Sequence, residues 1–278
     1  MVKIITDTTS CLEPEFASHF NIPIIPQVIN FGEETYYEGV EMDSAEFMRR
    51  LILSPVLPKT AAPPPELFVE QFNRLVPLGE SILCIHPSSE VSGTVRSAIV
   101  AARDFPEADI RVIDTRSVAS PLASMVKLSA EWAECGLDAD SIQERLNQMI
   151  PKCRIYFLVA TLEYLVKGGR IGGAAGLLGN VLQIKPILTF TSGKVDQYER
   201  ERTQKRALAR LKEIVFEQYP REGNGYLTVM HAGVPDQGKA LAYDLGVQLN
   251  LKEVPIYDVP PAIVTHGGPG ILGVGFFV

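Results

Sequence analysis

Short apolar runs alternate with helical stretches through the first half of the chain. The apolar runs lie at 2–6, 24–31, 82–86 and 110–113. Apolar residues then recur at helical spacing over 118–135 and 141–150, and Pro151 ends the second of these segments. Because alternation of strands with helices is typical of a parallel sheet with helices on its faces, the sequence predicts an α/β fold. We assign its first domain, a largely parallel sheet flanked by helices, to residues 1–152.

The second half of the chain has a different pattern. Strands are predicted at 155–160, 187–191, 194–198, 226–230 and 255–257. Ser192-Gly193 joins the second and third of them in a hairpin, and helices are predicted over 203–218 and 237–249. Because a hairpin introduces antiparallel pairing, we expect a second α/β domain, residues 153–278, with a mixed sheet and helices.

Composition and charge argue against several classes of protein. The 278 residues are 46% hydrophobic and 21% charged, as in ordinary globular proteins. A net charge of -7 argues against nucleic acid as a partner, because phosphate binding needs clustered Lys and Arg. The N-terminus lacks the apolar core of a signal peptide and no apolar run would span a bilayer, so we expect a cytoplasmic protein. The four cysteines and four histidines are widely scattered, so we expect no metal site.

The segment 82–98 says most about function. Its apolar strand runs into a turn rich in serine, glycine and threonine that opens a helix. Free backbone N–H groups and the positive end of the helix dipole favour an anion there, and Gly93 lets a ligand approach the backbone. Hydroxyl groups that can donate to such an anion belong to Ser88, Ser89, Ser92 and Thr94. The other interpretation is that one serine simply caps the helix, and the segment alone leaves both open.

Further polar clusters follow other predicted strands. Asp7, in the cluster 6–10, would repel an anion unless it pairs with a cation, so we predict a capping role for it. Asp114-Thr115 also lies at a strand end. Because open α/β sheets bind ligands beyond the carboxyl ends of their strands, we expect these segments to converge on one crevice.

Two glycine-rich segments carry the remaining candidates. Arg170 lies in the stretch 168–179, and its guanidinium group is suited to a carboxylate or phosphate, although a turn with a surface arginine explains the same residues. Near the C-terminus, Thr265 and His266 are followed by glycines that would let a ligand come close. A lone histidine is nevertheless more often structural than functional.

Familiar enzyme motifs are incomplete. The segment 233–239 has the spacing of a phosphate-binding loop, but Ala240 stands where magnesium binding needs a hydroxyl group. We interpret it as a strand, a turn and a helix capped by Asp236. No serine lies in a Gly-x-Ser-x-Gly motif, and the glycines over 168–176 lack the spacing of a dinucleotide site.

Taken together, these segments resemble the DegV family of bacterial fatty-acid-binding proteins, which includes the fatty-acid-binding (FakB) subunits of fatty acid kinase. The resemblance covers nearly the whole chain. It rests on the segments Thr6-Asp-Thr-Thr-Ser10, Lys59-Thr60 with the proline-rich turn after it, Ser88-Ser-Glu-Val-Ser-Gly-Thr-Val-Arg-Ser-Ala98, Val112-Ile-Asp-Thr115, Leu162-Glu-Tyr-Leu-Val-Lys-Gly-Gly-Arg-Ile171, Ile184-Lys-Pro-Ile187 and His266-Gly-Gly-Pro-Gly270.

The resemblance implies a long-chain fatty acid in an apolar tunnel between the two domains. The carboxylate would be bound at the tunnel mouth and presented to a separate, ATP-dependent fatty acid kinase subunit, with transient membrane-surface contact during exchange. The fatty acid would be the ligand, with no other cofactor and no catalysis by the chain itself. The resemblance assigns the carboxylate to Thr60, Ser92, Gly93 and Thr94. It places Arg170, Thr265 and His266 near the head group.

One departure and one alternative accompany this interpretation. Ala61-Ala62 stand where the family usually has Ser-Gln, which removes two polar side chains beside the proposed carboxylate site. The alternative is an enzyme, an acyl or phosphoryl transferase or a hydrolase, that uses Ser92 with His266. A third hypothesis is a lipid-responsive interaction protein whose bound fatty acid has a structural role.

Overall fold

The computed structural model describes residues 2–177, 184–222 and 224–278. Its strands are β1 (Lys3–Asp7), β2 (Ile24–Ile25), β3 (Val28–Phe31), β4 (Glu34–Tyr37), β5 (Lys59–Ala61), β6 (Ile82–His86), β7 (Ile110–Asp114), β8 (Cys153–Leu158), β9 (Lys185–Thr191), β10 (Lys194–Glu201), β11 (Thr228–His231), β12 (Ile256–Asp258) and β13 (Leu272–Phe277). Its α-helices are α1 (Pro14–His19), α2 (Ser44–Leu53), α3 (Pro65–Leu75), α4 (Thr94–Ala102), α5 (Ala119–Glu134), α6 (Ala139–Met149), α7 (Glu163–Lys167), α8 (Gln204–Gln218), α9 (Pro235–Leu249) and α10 (Pro261–Gly267).

The first sheet is parallel, with strand order β2-β1-β6-β7. Successive residues of β6 point to opposite faces: Leu83 and Ile85 pack with α5 and α6, whereas Ile82 and Cys84 pack with α3 and α4. All four side chains are fully buried. A strand covered on both faces has an unbroken apolar sequence, which is why the sequence located β6 correctly and predicted this sheet.

The second sheet is mixed and has the order β10-β9-β8-β13-β11-β12. Its β11–β12 pair is parallel and its other pairs are antiparallel. Helices α8 and α9 cover one face of this sheet. On the other face, Ile155, Phe157 and Met230 point into a core that they share with α5. The hairpin turn has positive φ at Ser192 and Gly193 (51° and 80°), the conformation that matches strand twist in tight hairpins. The predicted mixed sheet and hairpin are confirmed.

Helix α5 contacts strands of both large sheets and therefore joins them. The strands of the parallel sheet all precede residue 152, and the six-stranded sheet begins at Cys153. The domain boundary at residue 152 stays a prediction. Within the described ranges, none of the helices is both long and apolar enough to cross a membrane.

The apolar run 24–31 is not one strand. It is divided into β2, which pairs with β1, and β3, which pairs with β4 and β5 in a separate three-stranded antiparallel sheet. Pro26 lies at the break and has no N–H to donate to a strand ladder. The small sheet was missed because its middle strand looks like a continuation of β2.

Other sequence-based assignments need correction near the C-terminus. The helix predicted from 237 begins at Pro235 with Val234 as its N-cap, so Asp236 lies in the first turn and is not the cap. A proline at the first helical position needs no N–H partner, which makes a side-chain cap less important. Strand β13 was not predicted, because its alternating glycines weaken the apolar pattern. Part of the glycine-rich stretch, residues 178–179, lies outside the described residues.

Candidate functional site

A partly enclosed cavity lies between the carboxyl end of the parallel sheet and the inner face of the mixed sheet. Polar residues at one end of its lining are Thr9, Gln27, Thr60, Ser92, Arg170 and His266. Apolar residues of its walls include Ile155, Phe157, Phe190, Val195, Met230 and Ile271. Hydrogen bonds join Thr60 to His266 and, through Thr94, Gln27 to Ser92. These polar groups form the polar end of the cavity, and the remaining, mainly apolar lining forms its body.

The apolar body of the cavity suits an apolar ligand better than water. The cavity has a volume of about 120 Å³, and most of its lining side chains are apolar. Water would gain little beside such walls, because it needs two to four polar partners. An apolar ligand could pack against them instead.

Thr60 and His266 meet at the polar end. Thr60 Oγ1 lies 2.7 Å from His266 Nε2 and joins β5 to α10. Burial, and then the nearby Arg170 charge, lower the pKa of His266 to about 4, so the imidazole is neutral at pH 7. Its Nδ1 atom is buried without a hydrogen-bond partner among the described residues. Gly168 is required beside it, since a Cβ there would lie 2.3 Å from Nδ1.

Arg170 is held in place by main-chain oxygen atoms. Its Nη1 donates to Gly168 O at 2.7 Å, and its Nε donates to Val91 O at 3.3 Å. A guanidinium group has five N–H donors in a planar fork, so these contacts leave donors for an anion at the cavity mouth.

The four hydroxyl groups of the 82–98 segment have different environments. Ser88 Oγ donates to Gly193 O at 2.7 Å and ties the turn to the β9–β10 hairpin. Ser89 Oγ donates to Asp114 at 2.5 Å. Ser92 Oγ lies 2.8 Å from Thr94 Oγ1 and also accepts from Thr94 N at 3.3 Å. Of these four residues, Ser92 lines the cavity.

The structure brings five of the seven candidate residues to the cavity. These are Thr60, Ser92, Gly93, Arg170 and His266. Thr94 is fully buried behind Ser92, and the Thr265 hydroxyl donates to Pro261 O at 2.9 Å inside α10. Their roles toward a ligand stay predictions.

Sequence reasoning missed Thr9 and Gln27 as lining residues. Gln27 lies at the β2–β3 break, where one polar residue inside an apolar run was the available signal. Asp7 accepts from Thr9 N at 3.0 Å, which is the predicted capping role. It also lies 2.7 Å from His86 Nδ1, so this buried carboxylate has further partners that its sequence position did not indicate.

Glu38 fixes the helix that carries His266. This side chain is 2% exposed, and its Oε1 accepts from Ala262 N in the first turn of α10 at 2.7 Å. Thr8 Oγ1 donates to the other carboxyl oxygen. Burial raises the pKa of Glu38 to about 7.

No hydrogen bond joins Ser92 to His266, the alternative catalytic pair, among the described residues. Ser92 Oγ is hydrogen-bonded to Thr94, and His266 Nε2 is hydrogen-bonded to Thr60. Within residues 2–177, 184–222 and 224–278, no three His, Cys, Asp or Glu side chains are grouped so that they could hold a metal ion.

Fold and cavity define an α/β protein with a mainly apolar cavity whose lining also carries hydroxyl, imidazole and guanidinium groups. The chain belongs to the DegV family: the family model "Uncharacterised protein, DegV family" matches residues 1–278. It is 34% identical to a DegV domain-containing protein of Halalkalibacterium halodurans, over 100% of this chain and 98% of that protein.

Solved structures that are similar to this chain have the same fold. A fatty-acid-binding DegV family protein from Thermus thermophilus has a TM-score of 0.91 at 29% identity, with 99% of each chain covered. A stearic-acid-binding protein from Eubacterium ventriosum has a TM-score of 0.90 at 26% identity, covering 100% of this chain and 98% of that one. The family and the α/β fold expected from the sequence are thus confirmed.

Proposed function

We propose that the protein binds a long-chain fatty acid in this cavity and presents the carboxylate to a separate, ATP-dependent fatty acid kinase subunit. The observation that carries the proposal is a cavity whose lining is mainly apolar and also includes hydroxyl groups and a guanidinium group. Fatty acid binding by two structural relatives supports the same ligand class.

The physical balance favours such a ligand. Each methylene group removed from water contributes about 0.8 kcal/mol, so ten of them contribute about 8 kcal/mol before the entropic cost of binding. The carboxylate must remain hydrogen-bonded, since a buried unpaired charge is costly. Thr60, Ser92 and the Gly93 N–H would hold it, with Arg170 supplying the opposite charge.

The chain itself would carry out no covalent step. A serine nucleophile needs a base within hydrogen-bond reach, and among the described residues His266 Nε2 contacts Thr60 whereas Ser92 Oγ contacts Thr94. The partner would supply ATP, magnesium and the phosphoryl transfer, and the carrier would work with it in the cytoplasm. Exchange would occur at a membrane surface, because each free methylene group is unfavourable in water.

Native mass spectrometry of the purified protein, followed by organic extraction, tests the binding. A stoichiometric long-chain fatty acid is expected. A protein that is empty and takes up neither palmitate nor oleate contradicts the proposal. Presentation is tested separately with the fatty acid kinase subunit of the same organism: ATP consumption should require the loaded carrier.

A further inference from the structure

A chain of buried hydrogen bonds runs from the end of β1 to the polar end of the cavity. It begins at Asp7, which is 0% exposed and accepts from Thr9 N, from Thr9 Oγ1 at 2.6 Å and from Gln27 Nε2 at 3.0 Å. Gln27 Nε2 also donates to Thr94 Oγ1 at 2.9 Å, and Thr94 Oγ1 lies 2.8 Å from Ser92 Oγ. Ser92, at the end of this chain of hydrogen bonds, lines the cavity, as Thr9 and Gln27 also do.

Asp7 determines which way the Gln27 amide faces. A carboxylate group only accepts hydrogen bonds, so the Gln27 NH₂ group, and not its oxygen, must point toward Asp7. The two hydrogens of this NH₂ group are then used, one on Asp7 and one on Thr94. The donor at the Gln27–Thr94 contact is therefore Gln27.

The donor in the hydrogen bond between Thr94 and Ser92 follows from the need to pair the buried hydroxyl proton of Thr94. Its side chain is 0% exposed, and among the described residues its hydroxyl contacts Gln27 and Ser92. Because Gln27 donates, the Thr94 proton has Ser92 Oγ as its acceptor. The reverse bond, from Ser92 to Thr94, would leave a buried hydroxyl proton unpaired, which is unfavourable. Ser92 thus accepts from Thr94 and keeps its own proton free.

We propose that Gln27, held by Asp7, is a positioning residue that fixes the direction of this chain so that the Ser92 hydroxyl donates into the cavity. An anionic head group is the matching partner, because it accepts hydrogen bonds and offers none. This inference rests on the proposed function, since it concerns the head group of the same ligand. It adds Asp7, Gln27 and Thr94 as the residues that give Ser92 its preference for a carboxylate.

A purely structural role for Gln27 makes a different prediction about ligand selectivity. If Gln27 only stabilises the fold, its loss should weaken every acyl ligand equally. If it sets the direction of the Ser92 proton, its loss should weaken a carboxylate far more than an alcohol of the same chain length. An alcohol can donate to Ser92 as well as accept from it, so it tolerates either direction.

The test compares palmitate and hexadecanol binding to wild-type protein, Gln27→Met and the control Gln248→Met, whose glutamine is exposed on α9. Calorimetry or displacement of a fluorescent fatty acid gives the affinities. Gln27→Met should lower the affinity for palmitate by about 10- to 100-fold, which is the effect of losing one hydrogen bond to a charged group. The affinity for hexadecanol should be nearly unchanged. The control should match wild type for both ligands.

Two results overturn the inference alone: unchanged palmitate affinity in Gln27→Met, or equal weakening of both ligands. Wild-type protein that binds neither ligand overturns the proposed function and this inference with it. If Gln27→Met does not fold, the pair Thr94→Val and Thr94→Ser replaces it. Thr94→Ser keeps the donating hydroxyl and should retain the preference for palmitate, whereas Thr94→Val should lose it; equal preference in the two variants contradicts the inference.

Discussion

The two large sheets contribute different parts of the cavity. The parallel sheet contributes strand ends, where short turns converge and present Thr9, Ser92 and their supporting residues. The mixed sheet contributes a face, on which Ile155 and Phe157 stand two positions apart on β8 and point the same way. Strand ends gather polar groups at one place, and a sheet face extends an apolar wall, so together they suit an amphipathic ligand.

A charge on the sheet face should have the largest effect on binding. Phe190 on β9 is half-buried and lines the cavity, so Phe190→Asp would place a carboxylate against the acyl chain. We expect fatty acid affinity to fall by at least about 100-fold, because a buried charge without a partner costs several kcal/mol. Titration with palmitate measures the affinity. Thr191→Asp, exposed on the same strand, is the matched control and should bind palmitate normally. An equal loss of palmitate affinity in both variants would contradict the assignment of Phe190 to the cavity wall.

The link between Glu38 and α10 should make stability depend on pH. The folded-state pKa of Glu38, about 7, lies above its ordinary value of 4.5, so the folded state binds more protons between these values and this residue's contribution to stability falls as pH rises through that window. His266 acts in the opposite sense: its folded pKa of about 4 lies below 6.5, so its contribution falls as pH falls from 6.5 toward 4.

Glu38→Gln removes one of these two opposing effects of pH on stability. The free energy of unfolding of this variant, minus that of wild type, should rise by about 3 kcal/mol between pH 4.5 and pH 8, since one pKa unit corresponds to about 1.4 kcal/mol. Urea unfolding at a series of pH values measures the difference. A constant difference between the two proteins across this range would contradict the assignment of a protonated, buried Glu38.

Loss of the positive charge at the mouth should have a smaller effect. Arg170→Met keeps an apolar stem but removes the guanidinium group, so palmitate affinity should fall by about 10-fold at low salt. Hexadecanol affinity should change little. Arg206→Met, exposed in the first turn of α8, serves as the control. If the affinities for palmitate and hexadecanol fall equally, Arg170 contributes to binding through packing and not through its charge.

The smallest effect is expected for a hydroxyl that faces away from the cavity. Ser88→Ala loses the hydrogen bond to Gly193 O, which should lower the free energy of unfolding by about 1 kcal/mol. Fatty acid affinity should be unchanged, because Ser88 connects the turn to the hairpin. Thermal unfolding and palmitate titration of the same sample separate the two quantities, and weaker binding would place Ser88 in the head-group site.

The parallel sheet and the turn after β6 could be predicted because their signals are local. An apolar run buried on both faces and a Ser-Gly-Thr turn are both visible within the segment 82–98. The β2–β3 break was harder, since Gln27 stands in a run that looks continuous and its partners Asp7 and Thr94 lie far away in sequence.

Contacts across the cavity leave no local pattern at all. Thr60 and His266 are separated by 206 positions, and Glu38 and Ala262 by 224. The family resemblance pointed to Thr60 and His266 by motif position, but it could not show that they touch each other. Glu38 was missed because an isolated glutamate after a strand is usually exposed.

A crystal structure of the protein with palmitate would test the division of the cavity most directly. The carboxylate is expected within hydrogen-bond distance of Thr60 Oγ1 and Ser92 Oγ, with the acyl chain against Phe157 and Phe190. A carboxylate pointing toward Phe157, or an acyl chain bound outside this cavity, would contradict the account.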